Sequence, residues 1–174
     1  MKALRYGVHW LAHVGIALAA IALLASMAMI VYSVVMRYVL NQPVAWVDEM
    51  VGYLLVACVM LAAADALRQG EHIAVDIVTE RLSTRGRRWT AVLGLLAVAA
   101  SALLLAVEGF DMVAFSRMVG LVSNGYLAVP MWIPQMLVPV GALLLLLSAI
   151  VAVGAAWRGE AVTHDDAIKP KGVE

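Results

Sequence analysis

Long apolar runs alternate with short polar segments along this chain. Four runs stand out, at about 8–35, 46–67, 90–111 and 129–157. An α-helix rises ~1.5 Å per residue and a bilayer core is ~30 Å thick, so each run is long enough to cross. The pattern predicts an all-α membrane protein of four transmembrane helices. The segment between the second and third runs has a different pattern. Beyond Gly70, Ala74, Ile77, Val78 and Leu82 share one helical face, and His72, Asp76, Thr79, Glu80 and Ser83 share the other. That alternation predicts a short amphipathic helix lying in the membrane interface, before the basic cluster Arg85, Arg87 and Arg88. Residues 1–157 thus form one four-helix domain, and 158–174 a polar cytoplasmic tail.

The first run follows Lys2 and Arg5, as a signal peptide would. Its apolar stretch exceeds a signal core, and no small-residue cleavage site ends it before Arg37, so a retained helix is expected.

Composition fits lipid as the main solvent: 64% of the 174 residues are hydrophobic and 14% charged. The distribution of basic residues gives an orientation. Lys2 and Arg5 precede the first run. Arg68, Arg81, Arg85, Arg87 and Arg88 lie between the second and third, and Arg158, Lys169 and Lys171 follow the fourth. Only Arg37 and Arg117 fall in the other two connections. The positive-inside bias places both termini in the cytoplasm.

Small residues mark where helices approach closely in lipid. Ala12, Gly15, Ala19, Ala22 and Ser26 make one stripe, and Gly94, Ala97 and Ser101 another. Each suits packing within the chain or docking of another subunit. Pro130 falls at the entry of the fourth helix, and Pro139 is deep enough to kink it.

Candidate chemistry is sparse. The single cysteine, Cys58, lies inside an apolar run and reads as a core residue. Asp65 and Arg68, three residues apart, are expected to pair at the cytoplasmic boundary. Glu108 and Asp111 are expected at the outer end of the third helix, near water. That leaves the helix centres free of charge and argues against an ion pathway within the chain. His9 and His13 share one face, while His72 and His164 lie in polar segments, so no facing pair for haem is evident. No nucleophile–base signature, phosphate loop, metal motif or basic–aromatic nucleic-acid patch is present, so neither an enzyme nor a cofactor is expected.

Two connections carry information. In the first, Asn41 and Pro43 predict a turn, Trp46 suits the interfacial aromatic belt, and Asp48 and Glu49 occupy the first turn of the second helix. In the second, Gly70 ends a helix, and His72 and Asp76 stand one turn apart.

Together these segments resemble the small membrane subunit, the DctQ-like or Q subunit, of the TRAP (tripartite ATP-independent periplasmic) transporters. The resemblance rests on Arg37-Tyr38, Asn41, Trp46 and Glu49, then Gly70-x-His72-Ile73-x-Val75-Asp76. Val129-Pro130-Met131-Trp132 and Pro139-Val140-Gly141 extend it, so it covers nearly the whole chain. Ala62 departs from a glycine and Asp65 from an apolar residue. The resemblance implies a division of labour in the bacterial inner membrane. A periplasmic substrate-binding protein captures an organic acid, and a large multi-helix subunit moves it with sodium. The small subunit is a scaffold in stable contact with the large one. Arg37, Asn41, Trp46, Glu49, Gly70, His72 and Asp76 are then the candidate partner-contact or structural residues. Two other readings remain at this stage, a haem-binding electron-transfer subunit and a stand-alone exporter driven by Asp65 or Glu108.

Overall fold

A computed structural model of the chain describes residues 2–69 and 84–158. Five helices occupy them: α1 (Lys2–Tyr38), α2 (Trp46–Gln69), α3 (Thr84–Val119), α4 (Trp132–Gln135) and α5 (Leu137–Arg158). Four stretches are long and apolar enough to cross a membrane: Tyr6–Tyr38, Trp46–Arg68, Trp89–Val119 and, across α4 and α5, Trp132–Trp157. The expected all-α, four-span architecture is therefore present. The interfacial helix, with Gly70, His72 and Asp76, lies outside the described residues, as does the tail beyond Arg158.

The helix ends have local causes. α1 gives way to Asn41 at φ 54°, in the left-handed region that asparagine tolerates. α3 ends at Gly120, φ 68°, where the Leu121 amide donates back to the Ser116 carbonyl at 2.9 Å. This is a glycine C-cap that satisfies a terminal carbonyl. The fourth span breaks at Met136. Pro139 explains the position: it has no N–H for the carbonyl of Gln135 and its ring crowds that carbonyl.

One expectation is corrected here. Glu108 and Asp111 do not sit at the end of the third helix. α3 continues more than ~2 turns beyond Asp111, because the apolar sequence Met112-Val113-Ala114-Phe115 carries it on to Val119. Glu108 consequently lies well inside the apolar span Trp89–Val119.

The helices pack in the order α1, α2, α5, α3. α1 lies on α2, α2 on α5 and α5 on α3, with no comparable contact between α1 and α3 to close a ring. The seams are lined by small residues. On α1 they are Ala12, Gly15, Ala19, Ala22 and Ser26, all buried as the first stripe predicts. A Cβ at Gly15 would stand 2.9 Å from the Leu61 carbonyl oxygen of α2. On α3 the buried seam is Ala102, Ala106, Gly109, Val113 and Ser116. The second stripe, Gly94, Ala97 and Ser101, is exposed and is not used for packing among the described residues. Hydrophobic packing is concentrated at one end, where Leu67 meets Val92, Leu95, Ala149, Ala152 and Ala156. Trp89 and Trp157 close that end edge to face, 6.4 Å apart. Because the row is open, only 22–28% of the residues in each apolar window are buried inside the chain.

Candidate partner-contact site

The two ends of the row carry different polar clusters. At one end the first turn of α2 meets the connection between α3 and α4. Glu49 faces the positive end of its own helix dipole. Its carboxylate accepts hydrogen bonds from the Tyr53 hydroxyl one turn on (2.7 Å), from the Ser123 hydroxyl, and from the Leu127 backbone amide (3.2 Å). The Ser123 hydroxyl in turn accepts from the Gly125 amide at 3.2 Å. A Cβ at Gly125 would meet the Glu49 carboxylate, so a larger residue there would displace that carboxylate from the loop. Backbone bonds between Ser123 and Val129 and between Met131 and Leu121 close the connection on itself. Glu49 thus ties a compact loop to the start of α2.

Around this latch the predicted residues take separate places. Arg37, in the last turn of α1, pairs with Asp48 at 3.9 Å. Both side chains are largely exposed, so the pair orients the turn more than it stabilises it. Trp46 opens α2 and is partly exposed. Arg117 lies over the Trp132 ring, 5.6 Å from its centroid, and joins α3 to α4. Tyr38, Val39, Leu40, Met118, Val119, Val122 and Tyr126 are all exposed at this end. The structure brings Glu49 together with Tyr53, Ser123, Gly125 and Leu127, none of which the sequence reading singled out. The proximity of the loop to α2 has no local sequence signal. A serine and glycine after a helix-ending glycine is the nearest hint.

At the other end, Asp65 is buried and Arg68 reaches its Oδ1 at 3.1 Å, the expected pair. His13 of α1 joins them, with Nδ1 3.7 Å from Asp65 Oδ1 and 3.3 Å from Arg68 Nη1. When bare, that nitrogen accepts from Arg68; when protonated, it pairs with Asp65. His13 therefore serves the α1–α2 contact. Glu108 is exposed on α3, outside the cluster where that helix meets Leu67 of α2, so the two carboxylates considered for an exporter are not brought together. No group of three or more His, Cys, Asp or Glu is placed to hold a metal among the described residues.

A family model described as the DctQ component of the tripartite ATP-independent periplasmic transporters matches residues 26–159. The chain is also similar to a C4-dicarboxylate TRAP transporter small permease protein, DctQ, of Rhodobacter capsulatus. Identity is 31% over 121 residues, covering 69% of this chain and 53% of that protein. The chain thus spans about half the length of this relative. With four membrane-crossing helices and a match across most of its length, the chain belongs to the DctQ family, the small membrane component of TRAP transporters, and is a transporter component rather than an enzyme.

Proposed function

We propose that this chain is the fixed small subunit of a sodium-coupled importer of organic acids in the bacterial inner membrane. It works beside a large multi-helix subunit that carries substrate and sodium, and a periplasmic protein that delivers the substrate. The observation that carries the reading is the open row of helices. Most residues of each apolar span are not buried within the chain, which leaves them for lipid or a partner to cover. Interlocked seams such as Gly15 on Leu61 and Gly109 on Pro139 suit a part that stays still while another moves.

Both termini face the cytoplasm in this reading, from the basic-residue bias. The Glu49 end then faces the periplasm. Arg37, Asn41, Trp46 and Glu49 shape the surface offered there, directly or by holding the loop of Ser123 and Tyr126 in place. Gly70, His72 and Asp76, on the cytoplasmic side in this reading, are the proposed contacts to the large subunit there. The relative's description as a C4-dicarboxylate transporter makes small dicarboxylates the first substrates to try.

The test is reconstitution. The chain is co-expressed with its large subunit, purified, and placed in liposomes with a sodium gradient and the periplasmic binding protein. Uptake that needs all three proteins and sodium is expected. Uptake by the large subunit alone, or no complex between the two membrane proteins, would refute the scaffold role.

A further inference from the structure

Glu108 and Asp111 project from α3 on the side away from its buried seam of Ala102, Ala106, Gly109 and Val113. Neither carboxylate has a hydrogen-bond or ion-pair partner among the described residues. Their depth follows from two independent routes. Gly109 abuts Pro139 of α5, with a Cβ site 3.1 Å from its ring, and Gly141, half a turn further along α5, abuts Met60 of α2. Gly109 is therefore level with α2 just before Met60. That level is ~15 Å below Asp48, in a helix where Asp48 and Asp65 stand ~26 Å apart. From the other direction, Glu49 holds Ser123 just past the end of α3 at Val119. Asp111 lies ~12 Å and Glu108 ~17 Å back along the helix from Val119. Both routes put the two carboxylates midway between the charge clusters that bracket the apolar slab.

Charges at that depth are costly against lipid and are found facing partners or cavities. The rest of the face agrees. Gly94, Ala97 and Ser101 continue the same helical stripe toward the Asp65 end, all exposed, and nothing approaches within 4 Å of where a Gly94 Cβ would stand. Small residues let another helix come close. Leu93 and Leu104 of α3 are exposed beside that stripe, so charge is what sets the face apart: the outward face of α1, the other end of the row, has no carboxylate between Val14 and Met36. Ile21, Leu24 and Val31 are large, uncharged and exposed, which suits lipid. We infer that the outward face of α3 is the seam for a transmembrane helix of the large subunit. That helix carries arginine or lysine at mid-depth opposite Glu108 and Asp111. The inference rests on the two-subunit reading above and adds which face is used and what the partner must present.

The test uses the chain co-expressed with its large subunit. The isosteric double variant Glu108→Gln/Asp111→Asn should lower recovery of the large subunit at least ~10-fold, the factor that ~1.4 kcal/mol makes in an equilibrium constant. Ile21→Ala/Leu24→Ala on α1 should leave recovery unchanged. The charge variant should keep wild-type helicity and melting alone in detergent, since neither carboxylate has a hydrogen-bond or ion-pair partner among the described residues. A photo-crosslinking residue in place of Ala97 should yield an adduct identified as the large subunit. Full recovery with the charge variant, or an adduct with lipid alone, would overturn the assignment of this face. Failure of the wild-type chain to bring down the large subunit would instead refute the two-subunit reading, and the seam with it.

Discussion

Gly141 of α5 lies against the backbone of Met60 in α2, so that a Cβ at residue 141 would stand 2.6 Å from the Met60 carbonyl oxygen. The obstacle is backbone, which cannot move aside as a flexible side chain would. Gly141→Val should therefore push α2 and α5 apart and cost about 1–3 kcal/mol, the usual range for overpacking. Thermal unfolding in detergent measures this as a lowered midpoint. Gly94→Ala is the control, because its side chain enters open space. It should leave the isolated chain unchanged or slightly more stable, as alanine favours a helix.

Glu49 is expected to matter through the loop it holds. Glu49→Ala removes the acceptor for Tyr53, Ser123 and Leu127 together. Hydrogen exchange at the Leu127 amide should then accelerate on the order of tenfold or more, as expected when a charge-assisted bond is lost. Peptide-resolved exchange across residues 121–131 reads this directly. Tyr53→Phe should have a smaller effect on Leu127, since the carboxylate keeps its other two donors. Equal protection in Glu49→Ala and wild type would show that the loop is held by its own backbone bonds.

The helices and the α1 seam were legible in the sequence because both are local patterns. Apolar length identifies a span, and Ala12, Gly15, Ala19 and Ala22 repeat at helical spacing along α1. α3 is ambiguous in the sequence for a physical reason. It carries small residues on two faces, Gly94-Ala97-Ser101 and Ala102-Ala106-Gly109, and only the second is buried. Lipid is as apolar as a neighbouring helix, so hydrophobicity cannot tell the faces apart. Glu108 and Asp111 read as a helix end because charge ordinarily marks water. The Glu49 latch is invisible because its loop partners, Ser123 and Leu127, lie 74 and 78 residues away, in a loop with no regular pattern. The pairing of Asp65 with Arg68 was readable from spacing, whereas His13 joined it through tertiary packing alone.

The Asp65 cluster should behave as a coupled unit. Asp65 is buried, so Arg68→Ala leaves a desolvated carboxylate with fewer donors. A loss of about 1–3 kcal/mol is expected, below the cost for a fully buried pair because Arg68 keeps partial solvent access. In an Asp65→Asn background the same Arg68→Ala change should cost distinctly less. A double-mutant cycle on detergent melts measures the difference, and strictly additive losses would show that the two side chains do not act on each other.

The orientation is the most direct of these to settle. Ten basic residues flank the membrane on the side assigned to the cytoplasm, against Arg37 and Arg117 on the other. Tyr126 and Asn41 are exposed at the Glu49 end, and Gly7 is exposed near the start of α1. Single cysteines at Tyr126 or Asn41 should react with a membrane-impermeant maleimide in intact cells whose outer membrane is permeable to it. A cysteine at Gly7 should react only after the inner membrane is opened. The native Cys58 sits inside the apolar span of α2, so its background should be low in both conditions. Labelling of Gly7→Cys in intact cells, with Tyr126→Cys protected, would invert the topology. It would also turn the Glu49 loop to the cytoplasm, where a periplasmic delivery protein cannot reach it. The basic residues make a second arm of the same test. If they set the orientation, replacing Arg81, Arg85, Arg87 and Arg88 together with glutamine should produce a mixed population, because those four carry much of the bias. Removing Arg37 or Arg117 should leave the labelling pattern unchanged.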